Sequence, residues 1–184
     1  WNEEERKLYT SGNFTEWRTV AEGPLRTRFE LDYAPWEYLG GIVEEQKIIS
    51  LDMGSNMMRI EVRFPDENIP ESISAGITLH ENDGHILVDE SAGWFSYWQP
   101  HGDSELGMGI VVESQYQLGY TELITEEKDM SHLLVHLKSI DDRVVYYAGF
   151  GWMKNSLFPE EQIWIEYLKE FAGKLDSPLS VNVL

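Results

Sequence analysis

The stretch MMRIEVRF, Met57–Phe64, alternates its side chains with a period of two, and it decides the predicted fold class. One side is apolar, and it carries Met58, Ile60, Val62 and Phe64. The other side is largely charged, and it carries Met57, Arg59, Glu61 and Arg63. Successive side chains of a β-strand point to opposite faces of the sheet, so this pattern predicts a half-buried antiparallel strand.

The same alternation recurs before and after this stretch. After a Gly23-Pro24 break, the odd positions are mostly apolar and the even positions charged: Leu25, Thr27, Phe29, Leu31 and Tyr33 against Arg26, Arg28, Glu30 and Asp32. Further strands are predicted at 43–51, 74–80, 85–88, 94–99, 107–113, 115–123, 132–138, 143–150 and 179–183. Two pairs of them are predicted to form hairpins, 74–80 with 85–88 and 132–138 with 143–150.

One convincing helix follows the strands, from Pro159 to Ala172. Its apolar residues recur at helical spacing, and Gly173 suits the C-terminal cap. About nine or more short strands with one late helix predict an all-β protein, an antiparallel β-sandwich with a helix in its C-terminal region. Because no repeat or linker interrupts residues 1–184, we expect a single domain.

Composition narrows the classes of partner. The 184 residues carry a net charge of −19, which repels nucleic acid and anionic lipid at long range. No apolar run approaches the roughly 20 residues that span a bilayer, so no membrane span is expected. Seven Trp and nine Tyr are many for this length, and they suit either a β core or a sugar-binding groove.

The first candidate site is the charged side of Met57–Phe64. Arg59 and Arg63 suit bidentate binding of a carboxylate or sulfate, and Glu61 suits an acid or base role. A solvated sheet face produces the same pattern, and both interpretations stay open.

Two further stretches carry candidate catalytic groups. His80 ends a predicted strand on its polar side, where an imidazole suits catalysis because free imidazole titrates near neutral pH; an ordinary surface histidine beside a turn is the alternative. Residues 94–103 place Trp94, Tyr97, Trp98 and His101 close together in sequence, with Pro100 and Gly102 predicting a tight loop at His101. Lys154 suits an anionic ligand, and an ordinary core strand followed by a turn remains the alternative for residues 94–103.

Metal and cofactor chemistry finds no support in the sequence. His132 and His136 lie four residues apart on a predicted strand, about 13 Å from each other, so they are rejected as a chelating pair. The chain has no cysteine and no motif of the zinc-protease, P-loop or serine-hydrolase type. No metal and no cofactor are therefore predicted.

Five strings together resemble a bacterial family of uncharacterised domains common in polysaccharide utilisation loci: GPLRTRFELDY (Gly23–Tyr33), ISLDMGSNMMRIEVRF (Ile49–Phe64), AGITLH (Ala75–His80), YWQPHGD (Tyr97–Asp103) and YYAGFGWMK (Tyr146–Lys154). That family resembles the galactose-mutarotase-like supersandwich, which many polysaccharide lyases also use. The resemblance implies oligosaccharide substrates and a periplasmic or secreted setting. Because its members look about twice as long and this chain begins at Trp1 without Met, we expect the C-terminal part of a longer protein, with its N-terminal part as a partner.

The leading hypothesis is a lyase or dehydratase that eliminates at a uronate-containing sugar, because some relatives of the family act in this way. Arg59 would neutralise the carboxylate, His80 would take the proton, and Tyr97 or His101 would protonate the leaving oxygen.

The alternatives are a mutarotase or epimerase using His80 with Glu61, a non-catalytic sugar-binding module using Trp94 and Trp98, and a glycoside hydrolase with two carboxylates. The enzymatic hypotheses require the candidate residues to converge on one hollow of a bent sheet. Coordinates that place them on separate surfaces would contradict that geometry.

Overall fold

The computed structural model describes residues 1–66 and 68–177, which contain thirteen β-strands, two short 3-10 turns and one α-helix. The strands are β1 (Phe14–Glu22), β2 (Arg26–Tyr33), β3 (Trp36–Tyr38), β4 (Gly41–Val43), β5 (Gln46–Asp52), β6 (Met57–Arg63), β7 (Ser72–Thr78), β8 (His85–Asp89), β9 (Trp94–His101), β10 (Ser104–Val111), β11 (Gln117–Leu123), β12 (His132–Lys138) and β13 (Arg143–Trp152). Helix α1 spans Glu161–Asp176. The strand predicted at 179–183 lies outside the described residues. None of the described helices is long and apolar enough to cross a membrane.

The strands form one large and two small antiparallel sheets. The large sheet has eight strands in the order β1-β2-β5-β6-β13-β10-β9-β8, and the second has three in the order β11-β12-β7. Strands β3 and β4 pair as a separate ribbon.

The two larger sheets pack face to face around the main core. Ile60, Val62 and Phe95 of the large sheet belong to the same buried cluster as Leu133 and Val135 of the three-stranded sheet. These are the apolar positions of the alternating strands, so burial follows directly from the period-two pattern. The prediction of an all-β antiparallel sandwich with one C-terminal-region helix is confirmed.

The three-stranded sheet covers only part of the large one. No residue of β1 or β2 belongs to the main core or packs against it among the described side chains. The large sheet therefore extends past β7, and a cleft opens at that border.

Helix α1 lies on the opposite face of the large sheet. Trp164 and Leu168 are fully buried there, beside Gly107, Gly109 and Gly151 of β10 and β13. A Cβ on any of these glycines would lie 2.7–2.9 Å from an atom of the Trp164 ring. Because glycine has no side chain, these positions leave the space that the helix occupies.

Both predicted hairpins are wrong. Strand β8 pairs with β9 in the large sheet, whereas β7 pairs with β12 in the small one. The turn at 82–84 carries the chain between sheets, and its Gly84 lies so close to Trp98 and Gln99 that a Cβ would clash. Strand β13 likewise leaves β12 and pairs with β10 and β6.

Two local predictions also fail. The tight turn predicted at His101 falls one residue later, at Gly102-Asp103. His101 is therefore the last residue of β9 and pairs with Ser104, and Pro100 near the strand end does not interrupt the ladder. Gly173 lies inside α1, which continues to Asp176 and is capped by Ser177.

Candidate functional site

Arg59, Glu61 and Arg63 lie together on the large sheet, but on the face that carries α1. Arg59 Nη1 donates to Glu61 Oε2 at 2.7 Å, and Arg63 Nε donates to Glu61 Oε1 at 2.5 Å. Burial alone would raise the pKa of the Glu61 carboxyl, but the hydrogen bonds from both guanidiniums outweigh it and hold that pKa below its usual value. Glu61 is therefore an ionised counter-ion whose two oxygens are already occupied.

Tyr97 points the other way, into the main core. Its side chain is 0% exposed, its hydroxyl donates to the carbonyl of Leu79 at 2.9 Å, and it accepts from the Gly84 N–H at 3.0 Å. A hydroxyl in that position holds the β7–β8 connection in place and does not reach solvent.

The two candidate histidines lie apart from Tyr97 and from each other. His80, just after β7, pairs through Nδ1 with Asp129 Oδ1 at 3.0 Å, and half of its side chain is exposed. His101 is exposed at the end of β9. Lys154 pairs with the neighbouring Asp103 and lies 5.9 Å from the centre of the Trp152 ring.

Trp94 and Trp98 lie beneath helix α1, each 4% exposed. Trp98 Nε1 donates to Glu105 Oε2 at 2.6 Å, and both rings belong to the cluster that buries Trp164. They fill core and leave no face for a sugar.

The prediction of one shared hollow is therefore wrong. Arg59, Glu61 and Arg63 occupy one face of the large sheet, Tyr97 faces the other side, and His80 and His101 lie at separate edges. The mutarotase pair of His80 and Glu61 is likewise divided by the sheet.

The structure instead forms an aromatic cavity at the border of the two sheets, here called the Tyr146 cleft, with a volume of about 190 Å³. Five aromatic residues belong to its lining: Trp1, Tyr9, Trp36, Tyr38 and Tyr146. Strand β7 adds Ser72 and Ser74, β5 adds Lys47, and the connection just before β5 adds Glu45.

The polar groups of the Tyr146 cleft include a partly buried ion pair. Lys47 Nζ lies 3.2 Å from Glu45 Oε1 and 4.3 Å from the centre of the Tyr33 ring. Glu45 is only 7% exposed, and its Oε1 accepts no aligned hydrogen bond from any residue in the described part of the chain. The indole N–H of Trp36 also lacks an acceptor among residues 1–66 and 68–177. The Trp36 N–H is thus a buried donor available to a polar ligand, whereas Glu45 Oε1 has the Lys47 ammonium as its charged neighbour.

Tyr146 also lines the cleft, close enough to Glu45 to feel its charge. Burial raises the pKa of its hydroxyl to about 12, and the negative charge of Glu45 adds to the effect. At neutral pH the phenol is therefore protonated, and it can donate a hydrogen bond or a proton to a ligand oxygen.

The five strings quoted in the sequence analysis all lie within the match to one family of known proteins. The model of a family described as a domain of unknown function, DUF4861, matches residues 1–181. The chain belongs to the DUF4861 family. It is also 39% identical over 176 residues to "Uncharacterized protein P7" of Formosa agariphila. The aligned region covers 95% of this chain but only 44% of that protein. No solved structure matches the chain.

Sequence reasoning missed the Tyr146 cleft of this DUF4861 chain. Glu45 and Lys47 alternate with Ile49 on the apolar side of the predicted strand 43–51, and a charged pair on that side was the available signal. Tyr146 lies within YYAGFGWMK, yet it alternates with apolar residues and resembles core.

Proposed function

We propose that this chain is a carbohydrate-active enzyme domain that binds a uronate-containing oligosaccharide in the Tyr146 cleft and eliminates across two carbons of the uronate ring. The observation that carries the proposal is the coexistence, in one cavity with five aromatic residues in its lining, of the Lys47–Glu45 ion pair and a protonated phenol.

Binding follows from the lining of the cleft. Flat rings stack on the apolar C–H faces of sugars, and Trp36, Tyr38 and Tyr9 supply such rings at one opening. The ammonium group of Lys47, which pairs with Glu45, is the cation that a sugar carboxylate would approach in the cleft.

The reaction needs three groups, and each has a candidate. Lys47 neutralises the uronate carboxylate, which makes the C5 proton more acidic. Glu45 takes that proton, and the electron pair of the C5–H bond forms the C4=C5 double bond as the C4–O bond breaks. Tyr146 gives its proton to the departing oxygen. The product is a lyase product if that oxygen belongs to a sugar, and a dehydratase product if it leaves as water.

The proposal includes three expectations that come from the family resemblance. They are a supersandwich fold, a role in polysaccharide degradation, and a periplasmic or secreted location. The chain spans less than half of the curated relative, so further residues of a longer protein can complete the cleft. The activity of such a whole protein is part of the proposal.

The test incubates the protein with uronate oligosaccharides and follows the absorbance of the conjugated double bond. Tyr146→Phe and Glu45→Gln should each lower the rate by roughly 10²–10⁴-fold, the usual contribution of a positioned acid or base. Mass spectrometry separates chain cleavage from loss of one water. Tyr120→Phe, a half-exposed tyrosine on β11 that is absent from the cleft lining, is the matched control and should keep full activity.

Two outcomes would overturn the assignment. Full activity in Tyr146→Phe would remove the proposed acid. Loss of activity in His80→Ala or His101→Ala, with Tyr146→Phe active, would return the chemistry to the residues that the sequence indicated first.

Non-catalytic sugar binding is the second candidate, and the number of rings around the cleft favours it. It predicts that oligosaccharide binds without any change in mass or absorbance. Trp36→Ala should then abolish binding, whereas Glu45→Gln should leave it nearly unchanged.

A further inference from the structure

A second polar surface lies on the face of the large sheet opposite the Tyr146 cleft, beside α1. We call it the arginine tray, and it consists of Arg18, Arg28, Glu30, Ser50, Arg59, Glu61 and Arg63. Four arginines and two glutamates meet there in a chain whose net charge is −19, and Asp32 on the same face of β2 also acts on Arg18. An acidic protein that concentrates arginine in one place creates a local attraction for anions.

The register of the sheet makes the tray nearly symmetric about β5. Arg28 and Arg59 are both directly opposite Ser50, from the two neighbouring strands. Glu30 and Glu61 are both directly opposite Ile48 in the next row. Each pair is separated by two strand spacings, or about 10 Å, a gap that two arginine side chains can close on one small group.

The glutamates hold the guanidiniums in place. Glu61 and Glu30 are 5% and 8% exposed, and each is approached by two arginines. Arg18 Nε donates to Glu30 Oε2 at 2.9 Å, and Arg28 Nη2 lies 4.0 Å from Glu30 Oε1. Buried carboxylates of this kind orient the arginines while consuming only part of their donors, since a guanidinium carries five N–H groups.

Unused donors point to a ligand. The Nε–H of Arg28 is buried and has no acceptor among residues 1–66 and 68–177. A buried donor of a charged group without a partner is costly, and an oxyanion above Ser50 would relieve it. The nearest further carboxylate along β2, Asp32, is hydrogen-bonded to Gln46 at 2.7 Å.

We propose that Arg28, Ser50 and Arg59 form a binding site for an oxyanion, a carboxylate or sulfate group carried by an acidic glycan. The site is independent of the Tyr146 cleft and needs no reaction. It holds a charged chain on the outer face of the sheet, with the Ser50 hydroxyl donating to the anion between two guanidiniums.

Isothermal titration at low salt tests the site with four probes: inorganic sulfate, a sulfated oligosaccharide, a uronate oligosaccharide and a neutral oligosaccharide of the same length. Arg28→Gln and Arg59→Gln should each weaken binding of the sulfated oligosaccharide by about tenfold or more, because each removes charge-assisted hydrogen bonds. The uronate oligosaccharide is also the proposed ligand of the Tyr146 cleft, so its binding should fall less. Arg26→Gln is the matched control, since Arg26 lies on the same face of the same strand but pairs with Asp52. It should bind like the unchanged protein.

The remaining outcomes also decide the matter. Binding of inorganic sulfate alone would mean that no glycan is recognised, and it would overturn the glycan part of the proposal. Equal binding of the neutral probe, equal loss in Arg26→Gln, or no binding of any anion would overturn the site itself. Tyr146→Phe should retain tray binding even if elimination is lost, which separates a failure here from a failure of the proposed function.

Discussion

Replacing Trp164 with alanine should lower the free energy of unfolding by about 4 kcal/mol. The ring is 0% exposed and lies against the glycines of β10 and β13, so its removal leaves a cavity lined by backbone that cannot easily collapse. Burial of a Trp side chain is worth about 3–5 kcal/mol on replacement by Ala. The lost hydrogen bond from its indole N–H to Ser96 Oγ, 3.2 Å long, contributes roughly 1 kcal/mol. Relaxation of the neighbouring side chains offsets part of the loss, so the expected total stays near the middle of that range.

Urea unfolding followed by tryptophan fluorescence and circular dichroism measures this change. The slope of the free energy against urea should stay constant while the midpoint falls. Trp164→Phe keeps an aromatic ring and loses the N–H, so it should cost only about 1–2 kcal/mol. A domain of this size has about 5–15 kcal/mol in total, which makes the alanine change easy to detect.

A loss below about 1 kcal/mol in Trp164→Ala would refute the argument. It would mean that α1 is attached loosely and that the glycines of β10 and β13 do not depend on it. Strand β13 carries Gly151 under the helix and Tyr146 in the cleft, so a large loss should also reduce oligosaccharide binding near the midpoint.

Tyr97→Phe should lower the free energy of unfolding by about 1–2 kcal/mol in urea titration, because the Gly84 N–H loses its acceptor; an unchanged midpoint would contradict this. Gly149→Ala should cost about 3 kcal/mol or more in the same assay, since its Cβ would lie 1.9 Å from the carbonyl oxygen of Asn56, and a neutral result would show that the backbone moves freely there. Burial lowers the pKa of His136 from the usual 6.5, so its contribution to stability is complete above about pH 6.5. Below that pH the unfolded chain binds a proton that the folded chain does not, so the unfolding free energy should fall, and His136→Gln should flatten the decline between pH 7 and 5. If His136→Gln follows the same pH curve, other groups account for it.

Local patterns predicted most of the strands and their faces. Ile60, Val62 and Phe64 are buried between the sheets, and Arg59, Glu61 and Arg63 lie on the opposite face of the large sheet, as the alternation indicates. Pairing between strands was not predictable in the same way, because two strands joined by a short turn can belong to different sheets. The 82–84 turn crosses between the two sheets, and it is held there by a residue outside the turn. Tyr97, thirteen residues after Gly84, accepts the N–H of that glycine.

The error about the site has a physical origin in the same alternation. A charged sheet face was taken as the groove, because polar residues usually mark function on an open face. In this sandwich the three-stranded sheet is too narrow to cover the large sheet, so the apolar side also opens to solvent beyond β7. Odd residues of β5, such as Lys47, then face the Tyr146 cleft, and even residues, such as Ser50, face the arginine tray. Since a shift of one residue would exchange the two faces, the register of β5 between β2 and β6 is what gives this chain two different polar surfaces.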